Sequence, residues 1–163
     1  MKTIGLMILF FVPTAAGFVK SQRYIESRNV LRGFILLISF IKREITSYLT
    51  PQQEIYEKFY DKSLEKATFL SSLRKNSGDT PFAQAVTETK DKLFLSDEAF
   101  ELLYEFGMSF GTLSEKEEVT RCEKLIGELE EIYKAQKEET VEKTRLCRTV
   151  GCMTGIALVL LMW

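Results

Sequence analysis

The stretch from Ser114 to Trp163 contains no proline and no strong break signal, yet it changes character along its length. Ser114 followed by Glu117 has the spacing of a capping box, in which the Ser oxygen meets an orphan helix N–H and the Glu reaches back to the cap. Val119, Cys122, Leu125, Ile126, Leu129, Ile132 and Tyr133 then recur at the spacing of one buried helix face. Beyond Lys134 the stretch is mostly polar, and from Val150 onward it carries no charged side chain. A continuous helix over such a stretch would be roughly 75 Å long at about 1.5 Å per residue. A small soluble domain has no use for that length. The pattern predicts a helix that leaves a folded domain and enters a membrane.

The totals narrow the field. A 163-residue chain of net charge −1 suits one domain plus anchors, and offers nucleic acid no global electrostatic attraction. Histidine is absent, which removes the commonest general base at neutral pH and the commonest metal ligand. The cysteines, Cys122, Cys147 and Cys152, are odd in number and show no paired spacing, which argues against a disulfide framework. On a helix Cys147 and Cys152 point about 140° apart, a poor metal face. They read as small packing residues.

The N-terminus opens with Lys2 and then the apolar run Ile4 to Val12. Either a secretory signal peptide, with small residues at Thr14-Ala15-Ala16, or an uncleaved anchor over residues 1–19 fits this run. The basic residues that follow (Lys20, Arg23, Arg28, Arg32, Lys42 and Arg43, against the single acid Glu26) favour the anchor, because flanking positive charge is retained in the cytoplasm. Lys134, Lys137, Lys143, Arg145 and Arg148 stand on the inner side of the C-terminal tail in the same way. Residues 20–148 are therefore expected to form a cytosolic domain between two membrane segments, 1–19 and 149–163. Val150 to Trp163 covers only about 21 Å as helix, against a hydrocarbon core of roughly 30 Å. It crosses only if Leu146 to Thr149 join it and Arg148 snorkels; otherwise it lies in the interface or against the first anchor.

Between the anchors the apolar spacing is helical throughout, and no alternating strand pattern occurs. Val30 to Ile45 predicts a central helix running to about Leu49. Thr50-Pro51 caps and opens a helix carrying Ile55, Tyr56, Phe59, Tyr60, Leu64, Ala67, Leu70 and Leu73. Asn76-Ser77-Gly78-Asp79 breaks it, and Thr80-Pro81 opens another with Phe82, Ala85, Val86 and Leu93. Ser96 with Asp97 and Glu98 starts a helix whose inner face is Phe100, Leu103, Tyr104, Phe106 and Phe110, ending at Gly111. The fold class is an all-α helical bundle.

No catalytic constellation emerges: there is no glycine-rich phosphate loop, and Glu128, Glu130 and Glu131 read as a solvated face. The chain reads as non-enzymatic, with no cofactor, no metal and no small-molecule substrate. Two glycine pairs remain. Gly107 and Gly111, in Phe106-Gly107-Met108-Ser109-Phe110-Gly111, either admit a close helix or end a turn. Gly151 and Gly155 form a small-xxx-small pair that permits close packing of membrane helices, with the first anchor and its Gly17 as the natural partner.

The whole pattern resembles the stage III sporulation protein AB family of endospore-forming bacteria. The resemblance is carried by Gly17-Phe18 and the basic stretch after it, Glu44-Ile45 before Thr50-Pro51, Phe106 to Gly111, and Gly151-Cys152-Met153-Thr154-Gly155 leading into the terminal tail. It implies a platform in the mother-cell (outer forespore) membrane, its soluble domain facing the cytoplasm, similar to the helical domains of type II secretion and type IV pilus platforms. It also implies membership of a secretion-like channel complex between mother cell and forespore, with a secretion-type ATPase and other channel subunits as partners. Two departures stand out: Ser114 occupies a place where the family usually carries an acid, and Trp163 is the lone Trp. The expected contact surface is Phe106, Gly107, Phe110, Gly111 and Ser114, and the expected membrane packing residues are Gly17, Gly151 and Gly155. The competing reading is an exported, tail-anchored helical protein with a cleaved signal peptide.

Overall fold

The computed structural model describes the backbone of residues 2–48, 52–76 and 78–162, and the side chains of 22–47, 54–76, 78–138, 145, 146, 149, 150 and 153. Within these residues the chain is helical and no strand occurs. The helices are α1 (Lys2–Tyr48), α2 (Gln52–Lys58), α3 (Lys62–Lys66), α4 (Phe69–Lys75), α5 (Pro81–Glu88), α6 (Lys90–Leu93), α7 (Asp97–Ser109) and α8 (Glu115–Met162). The chain divides into two compact units, one of Met1–Ile25 with Gln136–Trp163 and one of Glu26–Ala135.

In the second unit, Val30, Leu31, Phe34, Leu37, Ile38 and Ile41 put a wide apolar stripe of α1 into the core. Cys122, Leu125 and Leu129 supply the stripe of α8, as their spacing predicts. The short helices pack their own buried residues around these two: Ile55 and Tyr56, Leu64, Leu70 and Leu73, Phe82 and Val86, Leu103 and Phe106. Lys42 on α1 meets Glu123 on α8 at 2.9 Å, and Lys66 on α3 meets Glu26 on α1. These pairs are largely exposed and contribute little beside the apolar burial.

The expected single helix over 55–73 is three helices. Phe59 and Tyr60 leave helical geometry after α2. Asp61 then caps α3, its carboxylate accepting from the Ser63 N–H at 2.8 Å and the Leu64 N–H at 3.0 Å. Thr68 adopts a left-handed conformation (φ 63°) between α3 and α4. Arg74 compensates for the break, donating to the Tyr56 and Phe59 carbonyls at 3.3 and 2.8 Å and so satisfying groups left open at the end of α2. Gly33 allows the approach, since a Cβ there would stand 2.9 Å from both Asp61 Oδ1 and Leu64 Cγ.

The helix expected after Thr80 is likewise split, into α5 and α6 at Thr89, and Phe94 (φ 51°) ends α6. Pro81 takes the first helical turn, but Thr80 makes no side-chain cap bond. Ser96 does cap α7, accepting from the Ala99 N–H at 3.3 Å. The Ser72 hydroxyl and the Asn76 amide both donate to the Glu88 carboxylate, tying α4 to α5 and holding Glu88 below the usual carboxylate range. Thr50, Pro51 and Ser77 lie outside the described residues.

The first unit is helical over its described backbone, formed by the start of α1 and the end of α8. Among the described residues, no helix is long and apolar enough to cross a membrane. The side chains of residues 2–21 and 154–162 lie outside the description.

Candidate interaction surface

Phe106 and Phe110 stack at 5.0 Å between ring centroids, one helical turn apart at the end of α7. They end a relay of rings: Phe106 meets Phe82 edge-on at 5.4 Å, Phe82 meets Phe69 at 5.5 Å, and Phe69 meets Phe34 at 4.7 Å. Edge-to-face pairs at such distances add to the burial of the rings themselves. Between Phe106 and Phe110, Gly107 lies against the start of α5. A Cβ on Gly107 would stand 2.6 Å from the Ala83 backbone N and 2.8 Å from a Phe82 ring carbon. Gly107 is therefore the close-approach glycine of the pair.

Gly111 does the other job. Its φ of 86° turns the chain out of α7, a conformation that side chains other than glycine rarely adopt. The turn is stitched to α8 by Glu118, a buried residue whose Oε1 accepts from the Gly111 N–H at 2.8 Å and the Leu113 N–H at 3.3 Å. Among the described residues, Glu118 Oε2 is buried and has no hydrogen-bond partner. Thr112 closes the turn from the other side, its hydroxyl donating to the Ser109 carbonyl at 2.7 Å.

Ser114 stands at the expected cap position, with one difference of detail. Its N–H donates to Glu117 Oε2 at 3.1 Å, as a capping box requires, but its hydroxyl also bonds that carboxylate, at 2.6 Å, rather than a helix N–H. These two bonds hold Glu117 below the usual carboxylate range. Cys122 lies one turn below Glu118, where burial first and the Glu118 charge second push its thiol up to about 12. It is a packing residue at neutral pH, not a nucleophile.

Phe106, Gly107 and Phe110 are buried, whereas Gly111 and Ser114 are exposed. The apolar groups that reach solvent here are their neighbours: Met108 is 47% exposed, Leu113 44% and Tyr104 39%. Tyr104 was expected on the inner face; instead it stacks flat beside Phe100 at 6.3 Å and forms, with Met108, Ala83, Gln84 and Thr87, the wall of an open groove of about 300 Å³ between α5 and α7. Arg121 spans the α7–α8 seam, donating to the Glu105 carbonyl at 3.1 Å with its guanidinium 6.0 Å above Phe106. The residue that sequence reasoning missed is Glu118. Its signal was its register: Glu118 stands four, seven and eleven residues before Cys122, Leu125 and Leu129, on the face that α8 buries, whereas Glu117 belongs to the Ser114 cap.

Gly17, Gly151 and Gly155 lie on helical backbone, and their packing falls outside the described side chains. Among the described residues no group of three or more Cys, Asp or Glu is placed to hold a metal ion. The family model described as stage III sporulation protein AB matches residues 2–163. No curated protein and no solved structure matches the chain.

Proposed function

The chain belongs to the stage III sporulation protein AB family, and from that premise we propose that it is a non-enzymatic, membrane-anchored platform of a secretion-like complex between mother cell and forespore. Its helical domain faces the cytoplasm and meets a secretion-type ATPase through the end of α7 and the turn after it. The observation that carries this reading is the build of that turn. Glu118 holds the Gly111 and Leu113 N–H groups from beneath, while Met108 and Leu113 present apolar surface over a buried aromatic base. A loop pinned to a rigid base loses little further freedom on binding, which favours recognition. Membrane anchoring through residues 1–19 and 149–163 is supported by their apolar sequence, by the basic residues on their inner flanks, and by the grouping of Met1–Ile25 with Gln136–Trp163 in one compact unit. Gly17, Gly151 and Gly155 are the proposed close contacts between the anchors.

The test is binding of the full chain in detergent to a secretion-type ATPase of the same organism. Saturable binding is expected, reduced about tenfold or more by Met108→Asp or Leu113→Asp, the effect of losing one anchor of roughly 1.4 kcal/mol. A folded full chain that fails to bind at micromolar concentration would sink the ATPase contact. Mass spectrometry of the mature N-terminus tests the topology, because a chain beginning near Gly17 would favour export over anchoring.

A further inference from the structure

A second surface lies along the α7–α8 seam, on residues the proposed ATPase contact does not use. Glu98, Glu101 and Glu105 follow one another along an exposed face of α7 at helical spacing. Glu128 and Glu131 on α8 and Glu98 on α7 rim an open groove of about 340 Å³ whose apolar lining is Leu102, Ile132 and Ala135. Between Asp97 and Ala135 the basic residues are Lys116, Arg121, Lys124 and Lys134. Arg121 is engaged with the Glu105 carbonyl, and Lys124 stands 3.6 Å from Glu128. Among the described residues, Glu98, Glu101 and Glu131 have no ion-pair partner.

We propose that this groove docks a cationic amphipathic helix of a partner protein, with one or two aliphatic side chains on the Leu102–Ile132–Ala135 lining and Lys or Arg one turn to either side against Glu98 and Glu131. The volume is at the small end for a binding cleft, matching a few side chains rather than a whole ligand. Apolar contact supplies the affinity, and the carboxylates set register and approach. The same charges disfavour an anionic lipid surface. They also disfavour a two-fold contact with a second copy, which would set acid against acid.

The experiment places a photo-crosslinking amino acid at Ala135 of the full chain in sporulating cells and maps the adduct by mass spectrometry. The expected adduct lies on a partner segment carrying at least two Lys or Arg at helical spacing beside an aliphatic residue. Its yield should fall about tenfold in the Glu98→Lys, Glu131→Lys double variant and return when the mapped basic residues are changed to Glu. Glu130→Lys plus Glu57→Lys makes the same change of net charge away from the groove and should leave the yield intact. Thermal unfolding of the variants checks that each is folded. An adduct on an acidic or uncharged segment, on lipid or on a second copy of the chain overturns the proposal. So does a folded charge-reversal variant that still gives the full adduct, or no adduct at all.

Discussion

Gly107 and Gly111 sit four residues apart in one motif, and their surroundings require glycine for opposite reasons. At Gly107 the backbone is ordinary helix and the space is forbidden: α5 is so close that a Cβ would press on backbone atoms of Ala83. At Gly111 the side-chain position is exposed and the backbone is unusual, with φ at 86°. The first glycine serves the core and the second serves the surface. A short motif can therefore carry two independent constraints, one on packing and one on chain direction, and only the second bears directly on what a partner meets.

That division predicts an order of effects. Phe82→Ala removes the ring that lies against Gly107 and joins Phe69 to Phe106, and should lower stability by about 3–5 kcal/mol. For a chain of this size each kcal/mol is worth about 2–4 °C in thermal midpoint, read by helical circular dichroism of the full chain in detergent. Gly107→Ala should cost about 1–3 kcal/mol through overpacking, even though alanine is the better helix former. If Gly107→Ala proved neutral, the close approach to α5 would not be what selects glycine. Glu118→Ala should cost about 1–3 kcal/mol, because it leaves the Gly111 and Leu113 N–H groups without their acceptor. Unlike Gly107→Ala, it should also reduce binding of the ATPase beyond its effect on folding.

The buried helix faces and the end of α7 near Gly111 could both be read from the sequence; which of the two glycines meets α5 could not. The spacing of Val30, Leu31, Phe34, Leu37, Ile38 and Ile41 marks a buried helix face, and so does that of Cys122, Leu125 and Leu129. Periodicity failed over 55–73 because the apolar residues keep their spacing while the chain turns at Asp61 and Thr68. Asp61 before Lys62-Ser63-Leu64 is a readable cap; a left-handed Thr68 has no local signal, since its conformation is imposed by packing on both sides. Glu118 shares the register of Cys122, Leu125 and Leu129, so its burial was legible in the spacing, but its role as acceptor was not, because that is decided by where the Gly111 turn falls. Tyr104 has the period of an inner residue, but α7 is rolled so that Ala99, Leu103, Phe106 and Gly107 face inward.

A glycine with neither constraint separates these two roles from glycine as such. Gly127 lies on an exposed part of α8, and a Cβ there would meet nothing within 4 Å. Gly127→Ala should therefore stabilise the chain by about 0.5–1 kcal/mol, opposite in sign to Gly107→Ala. Ser114→Ala should produce a small loss that depends on pH. Glu117 is held below its ordinary value by the Ser114 hydroxyl and N–H. A carboxylate with a depressed folded-state pKa stabilises the fold above its unfolded value, near pH 4.3, and that contribution fades as pH falls through the folded value. The difference in midpoint between the wild type and Ser114→Ala should thus be constant above about pH 6 and shrink toward acid. A difference that grew on acidification would mean that the Ser114 hydroxyl serves the α8 backbone directly, and that the bond to the Glu117 carboxylate is incidental.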